Sequence, residues 1–146
     1  MTEKTRDFPS APDFGRSLKG VGLNLLVPDV LREVEFLRGV LGVAVLTADR
    51  DFAVLSHAGQ VWMLHGDQTY GAHPLLELTG DGALRGVGLE IRLYDLDPEA
   101  CQQRAEAGGY TVLAPCAHKP HGLYECYLVS PAGYVYVPGV ASHELG

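Results

Sequence analysis

Basic residues and long apolar runs are scarce in this chain. It has 11 Lys and Arg against 18 Asp and Glu, which gives a formal net charge of −7. We expect no nucleic-acid partner, because a phosphate backbone is bound mainly through clustered Lys and Arg, and none are clustered here. An anionic membrane surface is disfavoured for the same reason. The longest apolar stretches fall well short of the ~20 residues that a membrane-spanning helix needs.

Cysteine is also scarce, and its pattern favours a reducing compartment. Cys101, Cys116 and Cys126 are odd in number and lack metal-ligand spacing, so free thiols in the cytoplasm are expected. Cys101 falls in a helical pattern and Cys126 in a strand pattern, and both are expected to fill the core. Residues 1–19 are polar and lack a signal-peptide core. They predict an N-terminal arm, followed by a single domain over residues 20–146.

An internal repeat is the strongest signal in the sequence. The segment GVGLNLLVPDV at Gly20–Val30 returns without a gap as GVGLEIRLYDL at Gly86–Leu96. The identical positions are Gly20/Gly86, Val21/Val87, Gly22/Gly88, Leu23/Leu89 and Asp29/Asp95. A segment written twice indicates two copies of one supersecondary module.

Module one has the pattern of a strand, a helix and three further strands. Alternation predicts the first strand at Val21–Val27. Asp29 is a good N-cap, and Gly42 a good terminator, for a helix with one apolar stripe. Short strands are predicted at Val43–Leu46, Phe52–His57 and Val61–His65, the last two joined by a tight turn at Ala58-Gly59-Gln60.

Module two repeats this order. A strand at Val87–Leu93 precedes Asp97-Pro98-Glu99, a strong helix start, and Gly108-Gly109 ends the helix. The strands predicted after it are Tyr110–Leu113, Leu123–Val129 and Tyr134–Val137.

These patterns predict an α+β fold. It consists of two tandem βαβββ modules whose mixed sheets curl around a shared cup-shaped cavity. The predicted boundaries are 20–67 for module one, 68–85 for a connection, 86–138 for module two and 139–146 for a tail.

The order of these elements resembles the vicinal oxygen chelate superfamily, which includes glyoxalase I, the bleomycin-resistance proteins and the extradiol dioxygenases. The resemblance covers about residues 20–138. It depends on the strand-Asp-Val start, on the helix ending Val40-Leu41-Gly42, and on the run PHGLYECYLVSPAGYVYVP at Pro120–Pro138. It implies paired βαβββ modules, a cup and, commonly, a homodimer. It does not by itself imply a reaction.

The resemblance also implies positions for a divalent metal ion, and this chain fills them with unsuitable residues. The family's His, Glu or Gln ligands correspond to Gly22, Met63, Gly88 and Val137. Glycine and valine offer no ligand atom, and a thioether does not suit Zn²⁺, Mg²⁺ or Mn²⁺. We therefore expect no metal cofactor. The alternative is a displaced site at Asn24, His65 and Glu90, which share strand parity with Gly22, Met63 and Gly88.

Strand parity also predicts which side chains line the cup. If Leu23, Leu25, Val27, Leu89, Ile91 and Leu93 face the helices, their neighbours face the cavity. Parity puts Asn24, Leu26, Met63, His65, Glu90 and Arg92 on that side. The resemblance adds Glu125, which matches the Glu of the family's closing pattern, and Tyr127 belongs to a group of tyrosines on the last two strands that could stack a flat ligand. The residues predicted to contact a ligand are Asn24, Met63, His65, Glu90, Arg92, Glu125 and Tyr127. Glu90 and Arg92, two positions apart on one face, either pair with each other or lie on a solvated sheet edge. Trp62 has the opposite parity to Met63 and is expected in the core.

The sequence leaves three functions open. The first is a cytoplasmic homodimer that binds a small organic molecule in a metal-free cup, for sequestration or sensing. The second is a metal-dependent lyase, isomerase or dioxygenase that uses the displaced ligand set. The third is a subunit or regulatory module with a vestigial cup. No catalytic residue is assigned, and the ligand is not identified by the sequence.

Overall fold

The computed structural model describes residues 3–4, 7–80 and 84–144, without the side chains of residues 3–4. The chain forms two compact units: Met1–Val34 with Val43–Leu78, and Glu35–Gly42 with Thr79–Gly146. Each unit carries one mixed β-sheet. The predicted α+β class and the two βαβββ modules are confirmed. The shared cup stays a prediction.

The first unit contains one five-stranded sheet and most of the short helices. Its elements are β1 (Glu3–Lys4), α1 (Ala11–Ser17), β2 (Asn24–Val27), the start of α2 (Val30–Gly39), β3 (Ala44–Ala48), β4 (Phe52–His57), β5 (Gln60–Gly66) and α3 (Pro74–Glu77). The strand order is β1-β3-β4-β5-β2. Strand β2 runs parallel to β5, and the other neighbours are antiparallel.

Local sequence explains the turns and caps of this unit. Ala58 and Gly59 have φ values of 51° and 81° between the paired residues His57 and Gln60, as a type I′ hairpin requires. Asp29 Oδ1 accepts a hydrogen bond from the backbone N–H of Arg32 at 3.2 Å, so the predicted N-cap of α2 is confirmed.

Burial alternates along β5 and fixes its two faces. Trp62 and Leu64 are buried, whereas Met63 and His65 are half-buried on the opposite face. The prediction that Trp62 packs in the core is therefore confirmed.

The second unit repeats the same topology. Its elements are the end of α2, β6 (Glu90–Tyr94), α4 (Pro98–Ala107), β7 (Thr111–His118), β8 (Leu123–Val129) and β9 (Val135–Ala141). The sheet order is β6-β9-β8-β7, with β6 parallel to β9. In both units the first strand of the module therefore lies beside its last strand. This agreement supports the duplication inferred from the sequence.

Aromatic and apolar packing forms the core of the second unit. Phe36 of α2 contacts Tyr110 edge-to-face at a centroid distance of 5.0 Å, and its ring lies 6.0 Å from that of Tyr136. Cys101 and Cys126 are fully buried, as predicted. Asp97 Oδ1 accepts hydrogen bonds from the N–H groups of Glu99 and Ala100, which confirms the predicted start of α4.

Several elements differ from the sequence-based prediction. The arm contains α1, whose first residues are capped by Ser10 and whose Phe14 is buried against Phe8. The first strand of each module begins late, so Leu23 and Leu89 precede β2 and β6 and are both 38% exposed. The expectation that these two leucines face the helices was wrong. Local alternation extended the predicted strands into the turns before them, where Gly20, Gly86 and Gly88 have φ values of 78°, 67° and 85°.

Exposure does not distinguish the two faces of β2 at Leu26. Parity placed it on the cavity side with Asn24, but it is only 3% exposed. Strands β7 and β9 also extend beyond their predicted ends, to His118 and Ala141. These extensions contain Pro115 and Pro138, and proline usually indicates the end of a strand because it cannot donate a hydrogen bond to the neighbouring strand.

Candidate functional site

A hydrogen-bonded cluster of Asn24, His65 and Tyr70 lies on the half-buried face of the first sheet. His65 Nδ1 donates to Asn24 Oδ1 at 2.5 Å, and Asn24 Nδ2 donates to the Tyr70 hydroxyl at 2.7 Å. The side-chain amide of Asn24 thus links the imidazole of His65 on β5 to the phenol of Tyr70, which lies in the connection after β5. We call these three residues the first polar cluster.

Aromatic rings surround His65 in this cluster. The Phe52 ring lies 4.9 Å from the His65 ring, and the Tyr70 ring lies 5.8 Å from it. The His73 ring stands 4.9 Å from Tyr70 in turn. Burial lowers the pKa of His65 from its ordinary value of 6.5. His65 is therefore a neutral imidazole at neutral pH, with Nδ1 carrying the proton that Asn24 accepts.

An ion-pair network forms the corresponding face of the second sheet. Arg92 Nη1 contacts Glu90 Oε1 at 2.6 Å, and Arg92 Nη2 bonds to Glu125 Oε2. Of the two alternatives left open for Glu90 and Arg92, the structure therefore shows the pair. The Glu125 side chain is fully buried, whereas those of Arg92 and Glu90 are 23% and 44% exposed. Glu125 needs this guanidinium because an unpaired buried carboxylate is very costly.

Two further side chains complete this network. His121 Nε2 donates to Glu125 Oε1 at 3.2 Å, and Tyr127 hydrogen-bonds to Arg92. Desolvation lowers the pKa of Arg92, but the hydrogen bonds to Tyr127 and Glu90 and the charge of Glu125 raise it by more. We call Glu90, Arg92, His121, Glu125 and Tyr127 the second polar cluster. Apart from His121, its charged groups are two carboxylates and one guanidinium.

Gly139 makes the buried position of Glu125 possible. Gly139 of β9 is the register partner of Glu125 of β8. A Cβ at Gly139 would lie 3.2 Å from Glu125 Cβ and 3.2 Å from the Tyr124 carbonyl oxygen. This spacing is tight, so the bare backbone of Gly139 leaves room for the Glu125 side chain.

The predicted lining residues separate into two groups, one in each unit. Asn24 and His65 are bonded directly, and Met63 is the register partner of Asn24 on β5. The remaining four, Glu90, Arg92, Glu125 and Tyr127, form most of the second polar cluster. That these side chains contact a ligand stays a prediction.

Sequence reasoning missed two members of these clusters. The predicted lining includes neither His121 nor Tyr70. The HGLYE run at His121–Glu125 held the signal for His121, because Gly122, with a φ of 89°, turns the chain just before β8 and His121 contacts Glu125. Nothing local predicts the bond from Tyr70 to Asn24, which lies far away in sequence.

The residues at the superfamily's ligand positions do not fit a divalent metal ion. Gly22 and Gly88 precede β2 and β6, and Val137 is a buried residue of β9. Among residues 7–80 and 84–144, no group of three or more His, Cys, Asp or Glu is arranged to hold a metal. Met63 offers only a thioether, which is too soft for Zn²⁺, Mg²⁺ or Mn²⁺.

The displaced ligand set has donor atoms that are already engaged. Asn24 uses both atoms of its amide on His65 and Tyr70, and Glu90 binds Arg92. Asn24 and His65 belong to the first unit and Glu90 to the second. The displaced site stays a prediction.

Solved structures with this fold are numerous. The chain is 20% identical to a glyoxalase-related enzyme from Fulvimarina pelagi, with a TM-score of 0.65 over 84% of this chain and 88% of that one. It is 15% identical to a glyoxalase/bleomycin resistance protein/dioxygenase family enzyme from Burkholderia phytofirmans PsJN, with a TM-score of 0.66 over 82% and 96%. TioX from Micromonospora sp. ML1 matches at 19% identity and a TM-score of 0.61, over 85% and 99%.

These similarities establish the fold of the chain. It is the fold of glyoxalase/bleomycin resistance/dioxygenase structures, so the fold that the resemblance implied is confirmed. No family model and no curated protein matches the sequence. Among the described residues, no helix has the length and apolar character needed to cross a membrane.

Proposed function

We propose that this protein binds a small organic molecule without a metal cofactor, for sequestration or sensing. One observation carries the proposal: the positions at which the resemblance implies metal ligands hold Gly22, Met63, Gly88 and Val137. The polar groups nearby are instead held in hydrogen-bonded clusters. Such clusters suit recognition, because placed polar groups on an otherwise apolar wall fix a ligand's orientation.

The second polar cluster supports a ligand that donates hydrogen bonds or carries positive charge. Glu90 is 44% exposed and His121 is 53% exposed, so both can reach a ligand while Glu125 stays buried behind them. Tyr94 is 55% exposed, with its ring 5.9 Å from the Arg92 guanidinium. An aromatic ring beside a carboxylate can stack on a flat molecule and orient its polar edge.

The proposed assembly is a cytoplasmic homodimer. The three free cysteines support a reducing compartment. Sedimentation equilibrium of the full chain tests the dimer, and a monomer at all concentrations would contradict it.

Mass spectrometry of untagged protein purified from its native cells tests the function. Solvent extracts of the wild type are expected to contain one organic molecule in near-stoichiometric amount. Glu90→Gln should lose most of it, because the exposed carboxylate is removed. Glu106→Gln, an equally conservative change on an exposed face of α4, should retain it. Equal retention by both variants would contradict a ligand site at the second polar cluster.

Metal analysis of the same preparation separates this proposal from the metal-dependent enzyme. We expect Zn, Ni, Mn and Fe far below one per chain. A stoichiometric metal that disappears in His65→Gln would overturn the proposal in favour of the displaced site at Asn24, His65 and Glu90.

A further inference from the structure

Three cysteines of the second unit, none of them a member of either polar cluster, lie close together. Cys101 is on α4, Cys116 on β7 and Cys126 on β8. Cys101 and Cys126 are fully buried, whereas Cys116 is partly exposed. Each thiol influences the ionisation of another member of the group.

A β-bulge sets Cys116 across from Cys126. In the antiparallel pair β7–β8, Ala114 is the partner of Tyr127 and Ala117 the partner of Glu125. Pro115 and Cys116 therefore lie opposite Cys126 alone. Residues that face each other on antiparallel strands have Cα atoms about 4.5–5.5 Å apart, which is within the range that a disulfide spans.

Both thiols lie on the face of the sheet that packs against α4. The backbone N–H of Cys116 donates to Gln102 Oε1 of α4 at 2.7 Å. Cys126 Sγ donates to the Pro98 carbonyl oxygen at 3.6 Å. The two side chains are also in hydrogen-bond contact with each other. Their shared face and their register together make a cross-strand bridge geometrically accessible.

We propose that Cys116 and Cys126 form an oxidisable dithiol that a peroxide converts into a cross-strand disulfide. The Cys116 thiolate attacks one peroxide oxygen, the O–O bond breaks, and Cys116 becomes a sulfenic acid as hydroxide leaves. The Cys126 thiol then attacks the sulfenic sulfur, the S–O bond breaks, and water leaves with the thiol proton. The peroxide is reduced and the two thiols are oxidised.

The electrostatics assign the order of these steps. Burial raises the pKa of both thiols. The Cys126 thiol lowers the pKa of Cys116, whereas the Cys116 group raises that of Cys126 further. Cys116 is also the more exposed, so it is the thiol that a peroxide meets first.

The disulfide would not involve any residue of the proposed ligand site. Cys126 lies between Glu125 and Tyr127 in β8, and adjacent residues of a strand face opposite sides of the sheet. The bridge would join β7 to β8 behind these two residues. The dithiol and the proposed function can therefore fail separately.

Peptide mapping of the native full chain tests the proposal. Reduced protein is treated with hydrogen peroxide, alkylated without reduction, and cleaved after glutamate. Cleavage at Glu99, Glu106 and Glu125 puts the three cysteines on separate peptides. We expect a linked pair containing Cys116 and Cys126, lighter by two hydrogen atoms than the free peptides. Cys101 should be alkylated only after unfolding.

Three variants make the outcome specific. Cys126→Ala should accumulate sulfenic and sulfinic acid at Cys116, because the resolving thiol is gone. Cys116→Ala should leave Cys126 reduced. Cys101→Ala is the matched control and should form the same disulfide as the wild type. A Cys116–Cys101 link as the main product, or over-oxidation of Cys116 in the wild type, would overturn the proposal. The proposal would also be overturned if the thiols of the folded protein stay reduced under peroxide treatment that fully oxidises the urea-unfolded protein.

Discussion

Arg92→Met should destabilise the second unit far more than the same substitution does at an exposed arginine. The substitution keeps an unbranched side chain of similar length but removes the guanidinium from Glu125, which is fully buried. Breaking a buried ion pair by removing one partner costs about 3–5 kcal/mol. The Arg92 side chain is 23% exposed, which screens the pair and reduces the expected loss to about 2–3 kcal/mol.

Urea denaturation and thermal unfolding measure this effect. A loss of 2–3 kcal/mol corresponds to a fall in melting temperature of about 5–10 °C for a protein of this size. Arg16→Met is the matched control, because the Arg16–Asp13 pair is 76% and 69% exposed. That control should change the unfolding free energy by less than about 0.5 kcal/mol.

A double-mutant cycle shows whether the buried carboxylate is responsible. Glu125→Gln alone should cost about 1 kcal/mol, since the amide still accepts a hydrogen bond from Arg92. Adding Glu125→Gln to Arg92→Met should restore at least about 1 kcal/mol, because no uncompensated charge then remains buried. The reasoning is refuted if the double variant is no more stable than Arg92→Met, or if Arg92→Met behaves like Arg16→Met.

Three further predictions concern single positions. Because burial lowers the pKa of His65 below 6.5, the folded protein resists protonation that the unfolded chain accepts. Stability should therefore fall as the pH drops below about 6.5; His65→Asn should weaken this fall in melting temperature, and His143→Asn, an exposed control, should not. Gly139→Ala should cost about 1–3 kcal/mol in urea denaturation, because its Cβ would crowd Glu125. Gly22→Ala, with nothing within 4 Å, should stay within about 0.5 kcal/mol of the wild type, and equal losses would contradict the crowding argument. Asp97→Ala should cost about 1 kcal/mol by the same assay, because it removes the N-cap of α4; an unchanged unfolding free energy would show that Pro98 and tertiary packing suffice to start the helix.

The sequence by itself determined the features that depend on neighbouring residues. The Asp29 and Asp97 caps, the Ala58-Gly59 turn and the opposite faces of Trp62 and Met63 all follow from local geometry, with periods of 3.6 or 2. The repeat added the topology, because two similar modules have similar strand orders. The periodicity of a strand also allowed the pairing of Glu90 with Arg92 to be considered from the sequence, since residues two apart share a face.

Only the tertiary structure decided the features that join distant parts of the chain. Hydrogen bonds between separate strands let β9 continue through Pro138 and gave β7 the bulge that sets Cys116 opposite Cys126. Packing between strands also placed Arg92 against Glu125 and left Gly139 as the space beside it. Such contacts depend on register and on which strands become neighbours, and a linear pattern of side chains encodes neither directly.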